Sequence, residues 1–195
     1  MMNITTLADS DRLLSALGEQ LADAGASYEL VVVGGSGLLA LGLVSRPTRD
    51  VDVVALREGD SLRTVDPLPE ALRIARDRVA RDYALPDDWL NAGPASLLDF
   101  GLPEGFLGRA QRRDHGPALT VWYASRFDQI HFKLYATVDQ GAGKHEADLR
   151  AMDPTDEELL AAARWTRTHD PSEGHRMVLG RVLSALGIDD ASLGL

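Results

Sequence analysis

The sequence contains no cysteine, which excludes disulfide bridges and thiolate metal ligands and agrees with a reducing compartment. No apolar run approaches the length that spans a bilayer, and the opening residues MMNITTLADSDR carry neither a basic start nor an apolar signal core. The expectation is therefore a cytoplasmic protein with no membrane partner. Positive charge is scarce as well: 20 Lys and Arg stand against 30 Asp and Glu, a formal net charge of -10. That balance argues against broad nucleic-acid binding, which depends on neutralising phosphates. Two local clusters remain, Arg73, Arg76, Arg78 and Arg81 in one segment and Arg109, Arg112 and Arg113 in another. Asp77, Asp82 and Asp114 lie among them, so they read as solvated, charge-balanced faces. Repeats and low-complexity segments are absent too. With 195 residues, 45% of them hydrophobic, the chain can bury one good core, or one core and a small helical appendage.

What is there is organised around Val31 to Ala55, VVVGGSGLLALGLVSRPTRDVDVVA. An apolar run ends in Gly34 and Gly35, followed by Ser36, an apolar segment from Gly37 to Val44, the turn Arg46-Pro47-Thr48, and a run carrying Asp50 and Asp52. The pattern reads strand, glycine turn, helix, strand. Paired glycines after a strand let the backbone approach a ligand, and the helix start beyond them presents N–H groups and a favourable dipole to phosphate. The Ser36 hydroxyl adds a donor. Asp50-Val51-Asp52-Val53-Val54 is β-branched enough for a strand, whose period of two places both carboxylates on one face. Side by side they repel, and a hard divalent cation converts that repulsion into coordination. Loop and carboxylates together describe a site that holds a polyphosphate on one and its metal on the other. Gly35-Ser36-Gly37-Leu38-Leu39-Ala40 also satisfies the dinucleotide-binding G-x-G-x-x-G/A pattern. That reading places its acidic residue at the end of the second strand and requires repeated βαβ units, whereas here a pair opens the second strand and the repeats are missing.

On these residues the chain resembles the nucleotidyltransferase superfamily: Gly35-Ser36, a short helix, then D-x-D at Asp50 and Asp52. Arg46-Pro47-Thr48-Arg49-Asp50 is similar to the R-x-T-x-D-x-D variant of AbiEii-type and MenT-type toxin nucleotidyltransferases. The segment from Phe127 to Trp165 resembles a second block of the same families, in which a helix lysine positions phosphates and a later Asp completes the acidic set. The matching positions are Lys133 and Asp148. Where the family pattern has K/R-D-x-x-D-L, this chain has Lys144-His145-Glu146-Ala147-Asp148-Leu149, so His145 stands in place of an Asp and brings a group that titrates near neutral pH.

The remaining chain supports this site. Residues 10 to 24 read as a helix capped by Ser10, with Leu13, Leu14, Leu17 and Leu21 on one face and Gly25 as its stop. Tyr28 to Val33 reads as a buried strand and Asp50 to Ala55 as the next. Arg57 to Pro69 is polar and irregular, and Glu70 to about Asp82 is an amphipathic helix over Leu72, Ala75 and Val79. Pro86 to His115 reads as small helices and turns, with Trp89 a core aromatic rather than a base-stacking platform and Asp99 a cap or turn residue. Ala118 to Ala124 is a third strand. Ser125 caps a helix whose stripe is Phe127, Ile130, Leu134 and Val138. Thr155 and Glu158 form a capping box ahead of Leu159, Ala162, Ala163 and Thr166. Asp170-Pro171-Ser172-Glu173 starts a last helix over Met177, Leu179, Val182, Leu183 and Leu186, and the closing DDASLGL is expected to fray.

The expectation is thus an α/β (α+β) nucleotidyltransferase-like fold, a small mixed sheet flanked by helices over residues 1–152 with a helical C-terminal appendage over 153–195. The resemblance implies transfer of a nucleoside monophosphate from an NTP to a hydroxyl. Asp50, Asp52 and Asp148 would bind Mg²⁺ or Mn²⁺; Gly34, Gly35, Ser36, Arg46 and Thr48 would hold or brace the phosphates, and Lys133 would neutralise them. The implied acceptor is an RNA 3′ end such as a tRNA, or else a protein hydroxyl, and the setting a toxin–antitoxin or phage-defence pair with a cognate antitoxin. The alternative is a non-catalytic binding or antitoxin subunit of the same fold, for which His145 is the sequence hint.

Overall fold

A computed structural model of the chain describes residues 4–188, and the chain divides into two compact units, Met1–Ser125 and Arg126–Leu195. The first is built on a six-stranded mixed sheet. Its strands are β1 (Tyr28–Val33), β2 (Val51–Glu58), β3 (Ser61–Arg63), β4 (Leu90–Asn91), β5 (Gln111–Asp114) and β6 (Leu119–Tyr123), and its helices α1 (Leu7–Asp23), α2 (Gly34–Ala40), α3 (Glu70–Asp82) and α4 (Phe106–Arg109). The strand order is β3-β2-β1-β6-β5, with β4 also on β2. The central β1 runs antiparallel to β2 and parallel to β6. The expected α/β fold with a small mixed sheet is the one observed.

Alternation builds the core. Leu30 and Val32 of β1, Val53 of β2, and Val121 and Tyr123 of β6 share one cluster with Leu13, Leu14, Leu17 and Leu21 of α1 and Leu72, Ala75 and Val79 of α3. Each fully buried aliphatic side chain contributes about 1.5–3 kcal/mol. Trp89 belongs to the same cluster with no exposed surface, and its Nε1–H donates to the Arg76 carbonyl at 3.1 Å, the core role expected of it.

Several element boundaries differ from the sequence expectation. α1 begins earlier, because Thr6 and Asp9 form a reciprocal capping box, while Ser10 lies buried within the helix. α2 starts at Gly34 itself and ends at Ala40, so the glycines are its first turn rather than a loop before it. Asp50 stands just ahead of β2, and β2 continues past Ala55 to Glu58. The stretch expected to be irregular after Arg57 instead reverses at Gly59-Asp60 into β3, with Glu58 paired to Ser61. Within the segment expected to hold only turns and small helices, β4 and β5 add two strands. Asp99 caps a 3-10 turn, Gly93–Leu98.

The second unit is helical: α5 (Arg126–Gln140), α6 (Lys144–Ala151), α7 (Asp156–His169) and α8 (Glu173–Ala185). Thr155 and Glu158 make the expected capping box on α7. Arg126 joins the ends of three segments, donating to the carbonyls of Met152 at 2.8 Å and Asp153 at 2.8 Å and pairing with Glu158. Ile130, Leu134, Val138, Leu159, Ala162, Ala163, Leu179 and Leu183 are buried as their spacing predicts. Two expectations fail. The cap of α8 is Ser172, with Asp170 accepting the Ser172 N–H at 2.8 Å, and Met177 points outward, 53% exposed. The DDASLGL tail lies outside the described residues. No helix among the described residues is long and apolar enough to cross a membrane.

Candidate active site

The glycine turn is pressed against the segment that carries the aspartates. Gly34 follows β1 with a φ of 74°, in the left-handed region that favours glycine. A Cβ there would meet Asp52 Oδ2 at 2.4 Å. At Gly35 a Cβ would meet Thr48 Oγ1 at 2.8 Å and Arg46 Nη2 at 3.4 Å. Only hydrogen fits at these two positions, so the backbone lies directly on Asp52, Thr48 and Arg46. Ser36 is buried and its hydroxyl has no hydrogen-bond partner.

Strand pairing explains why the parts meet. Asp52 sits across from Val33, the residue that leads into Gly34, and beside Asn91 in the parallel β4. Thr48 is pinned by a two-way bridge to Ile4, N–H to carbonyl at 2.9 Å in each direction. From there its hydroxyl donates to Asp50 Oδ1 at 3.2 Å. Arg46 Nη1 donates to the Pro47 carbonyl at 3.1 Å. Asp52 Oδ1 accepts from Asn91 Nδ2 at 3.2 Å. The sequence-derived Gly34, Gly35, Arg46, Thr48, Asp50 and Asp52 are therefore one neighbourhood in the first unit. Asn91 and Ile4 belong to it and were not anticipated. The Asn91-x-Gly93 spacing, an Asx-turn signature, was the available signal for Asn91; nothing in the sequence marks Ile4.

Lys133 and Asp148 lie in the helical unit, where they meet each other. Lys133 Nζ is 2.8 Å from Asp148 Oδ2, with side-chain exposures of 4% and 1%. The pair joins α5 to α6. His145 Nε2 is 3.1 Å from Gln140 Oε1. His131 is buried with Nδ1 2.8 Å from the Phe127 carbonyl. In the first unit, His115 is buried, and burial pushes its pKa below the ordinary imidazole value.

The arginine clusters are largely consumed locally. Arg73 and Arg76 pair with Asp77, Arg112 with Asp114, and Arg113 with Asp11. Arg57 stacks on Trp122 at 3.8 Å from the ring centroid, and Trp122 Nε1–H donates to Glu29 Oε2 at 2.7 Å.

Among the described residues no group of three or more His, Cys, Asp or Glu is placed to hold a metal ion. Asp50 and Asp52 offer two hard oxygen donors, and a Mg²⁺-type ion takes one or two carboxylates with substrate phosphates supplying other positions. The donor set of Asp50 and Asp52, half-buried and each oriented by a neighbouring hydrogen bond, fits a divalent ion that keeps water or substrate phosphate at its other positions, rather than a cage made by protein alone.

A family model described as a nucleotidyltransferase of unknown function (DUF6036) matches residues 12–148. No curated protein and no solved structure matches the chain.

Proposed function

The chain belongs to this family of nucleotidyltransferases of unknown function, and on that premise we propose that it moves a nucleoside monophosphate from an NTP to a hydroxyl acceptor at the Gly34–Asp52 neighbourhood. The observation that carries the proposal is the packing of Gly34 on Asp52 and of Gly35 on Thr48 and Arg46. It brings backbone that can line a polyphosphate against two carboxylates. Asp50 and Asp52 would hold Mg²⁺ or Mn²⁺, which when bound offsets phosphate charge and lowers the pKa of an attacking hydroxyl. Gly34, Gly35 and Ser36 would face the β- and γ-phosphates, with the unpartnered Ser36 hydroxyl as a donor. Thr48 holds the Asp50 carboxylate in place, and Arg46, whose guanidinium reaches the Gly35 side, would contact phosphate.

The acceptor we favour is an RNA 3′ end such as that of a tRNA, with a protein hydroxyl as the other candidate, in a toxin–antitoxin or phage-defence setting. This rests on the resemblance to AbiEii-type and MenT-type families. A second reading, a non-catalytic binding or antitoxin subunit, is favoured by one observation: Lys133 and Asp148 form a buried ion pair with each other, a structural use for the two residues to which the resemblance gives phosphate and metal roles.

Purified protein incubated with each α-phosphate-labelled NTP, Mg²⁺ and total RNA, against Asp50→Ala/Asp52→Ala, separates these readings. Label on RNA that disappears in the control supports the RNA acceptor and names the nucleotide. Label on protein moves the acceptor to a side-chain hydroxyl. No label from protein that still binds nucleotide favours the second reading.

A further inference from the structure

Asn91 occupies a position that no motif predicted, next to Asp52 on the short parallel strand β4. Its amide is fixed at both ends. The Gly93 N–H donates to Asn91 Oδ1 at 2.8 Å. That bond identifies the oxygen and so turns the NH₂ group toward Asp52 Oδ1 at 3.2 Å, with a longer contact to the Asp88 carbonyl at 3.5 Å. Asp52 Oδ2 is then the oxygen over Gly34, beside the glycine turn. A carboxylate on a strand has a broad two-fold freedom about its last torsion, and a donor locked by its own hydrogen bond removes it.

We propose that Asn91 is the positioning residue of the Asp52 carboxylate, holding its plane so that a divalent cation is ligated beside Gly34; this rests on the reading of Asp50 and Asp52 as cation ligands. Gly93 is part of the device. A Cβ at Gly93 would stand 2.9 Å from Asn91 Oδ1 and meet no atom of Asp52, so Gly93→Ala acts on Asp52 through the Asn91 amide. Hydrogen-bonding partners of metal ligands change cation affinity by about 10–100-fold when removed.

The test titrates Mn²⁺ alone into the full chain, followed by electron paramagnetic resonance, for wild type, Asp52→Ala, Asn91→Ala and Gly93→Ala, each with its urea unfolding curve. Asp52→Ala should abolish the site. Asn91→Ala should weaken Mn²⁺ about tenfold, and Gly93→Ala should weaken it in the same direction by less, both with midpoints of unfolding near wild type. Wild-type affinity in both Asn91→Ala and Gly93→Ala, with Asp52→Ala inactive in binding, overturns the positioning role and leaves the cation site standing. Binding that Asp52→Ala does not change, or no binding by wild type, removes the cation reading itself and the role of Asn91 with it.

Discussion

Removing one partner of the Lys133–Asp148 pair should be among the most destabilising single changes in the helical unit. At 2.8 Å the attraction between unit charges is about 6 kcal/mol at an effective dielectric constant of about 20. Desolvation of each ion costs several kcal/mol, so the intact pair contributes little net stability. Asp148→Ala removes this attraction from an ammonium only 4% exposed, a loss of up to about 3–5 kcal/mol. For a chain of this size that corresponds to a fall of about 6–20 °C in Tm. The double change Lys133→Met/Asp148→Leu replaces both charges by apolar groups of similar volume and should return to within about 1–2 kcal/mol of wild type. Urea unfolding followed by circular dichroism gives the magnitude, and hydrogen exchange in α5 and α6 locates it. A cost below about 1 kcal/mol for Asp148→Ala is what exposed pairs give, and it would show that the reasoning from burial is wrong. The double variant also carries the functional question. Normal nucleotidyl transfer by a folded double variant makes the pair structural, whereas loss of transfer with an intact fold returns to Lys133 and Asp148 the phosphate and metal roles implied by the resemblance.

Gly34→Ala forces a side chain into a left-handed backbone and onto Asp52 Oδ2; the backbone cost alone is about 1–2 kcal/mol, and transfer should fall with it, measured by thermal unfolding and by the labelling assay. Thr48→Val keeps the buried shape but removes the donor to Asp50 Oδ1, so stability should drop by about 1 kcal/mol and transfer more steeply than stability. Stability should also fall on mild acidification. Burial lowers the pKa of His175, against a rise from Asp170 and a further lowering by Arg167, and burial likewise lowers that of His115. The unfolded state therefore binds protons first, and the stability held above the unfolded value near 6.5 is lost as pH falls below it. Unfolding midpoints measured from pH 8 to pH 5.5 should show that decline, and His175→Phe should flatten part of it.

Legibility in the sequence follows the range of the interactions. From Gly34 to Asp52 the neighbourhood is built from residues close along the chain, and its signals, paired glycines and a D-x-D on a β-branched run, are local; Ile4 and Asn91 join it from afar. α3 and the capping box of α7 were legible for the same reason. The missed strands are those without apolar alternation. β5 reads QRRD, a charged edge strand of the kind that protects a sheet from further pairing, and β4 is two residues that exist only because β2 offers them an edge. Gly59-Asp60 between β2 and β3 is a two-residue hairpin signal, but β3 is only the three residues SLR, too short and polar to read as the partner strand. Asn91 escaped with β4. The Lys133–Asp148 contact could not be read at all, since snorkelling, a phosphate contact and an ion pair look alike for a lysine beside an apolar stripe.

The Gly34–Asp52 neighbourhood carries features that folding alone does not reward. A buried hydroxyl without a partner costs about 1–3 kcal/mol, and Ser36 is in that state. Gly34 and Gly35 give up side chains to bring the backbone against Asp52 and Thr48. Such costs concentrate where a ligand offsets them. Stability and function should therefore separate at Ser36. Ser36→Ala removes the unsatisfied oxygen and should leave the free protein as stable as wild type or more so, by up to about 1 kcal/mol. Its NTP binding should weaken, because the donor proposed for the phosphates is gone. In wild type, Mg²⁺ with NTP at about 100 times Kd should raise stability by about 2.7 kcal/mol, and Ser36→Ala should show a smaller rise at the same concentration. Thermal unfolding with and without nucleotide reads both effects. Destabilisation of the free Ser36→Ala protein by more than about 1 kcal/mol would mean that the hydroxyl serves the fold, and the phosphate role assigned to it would then have to be abandoned.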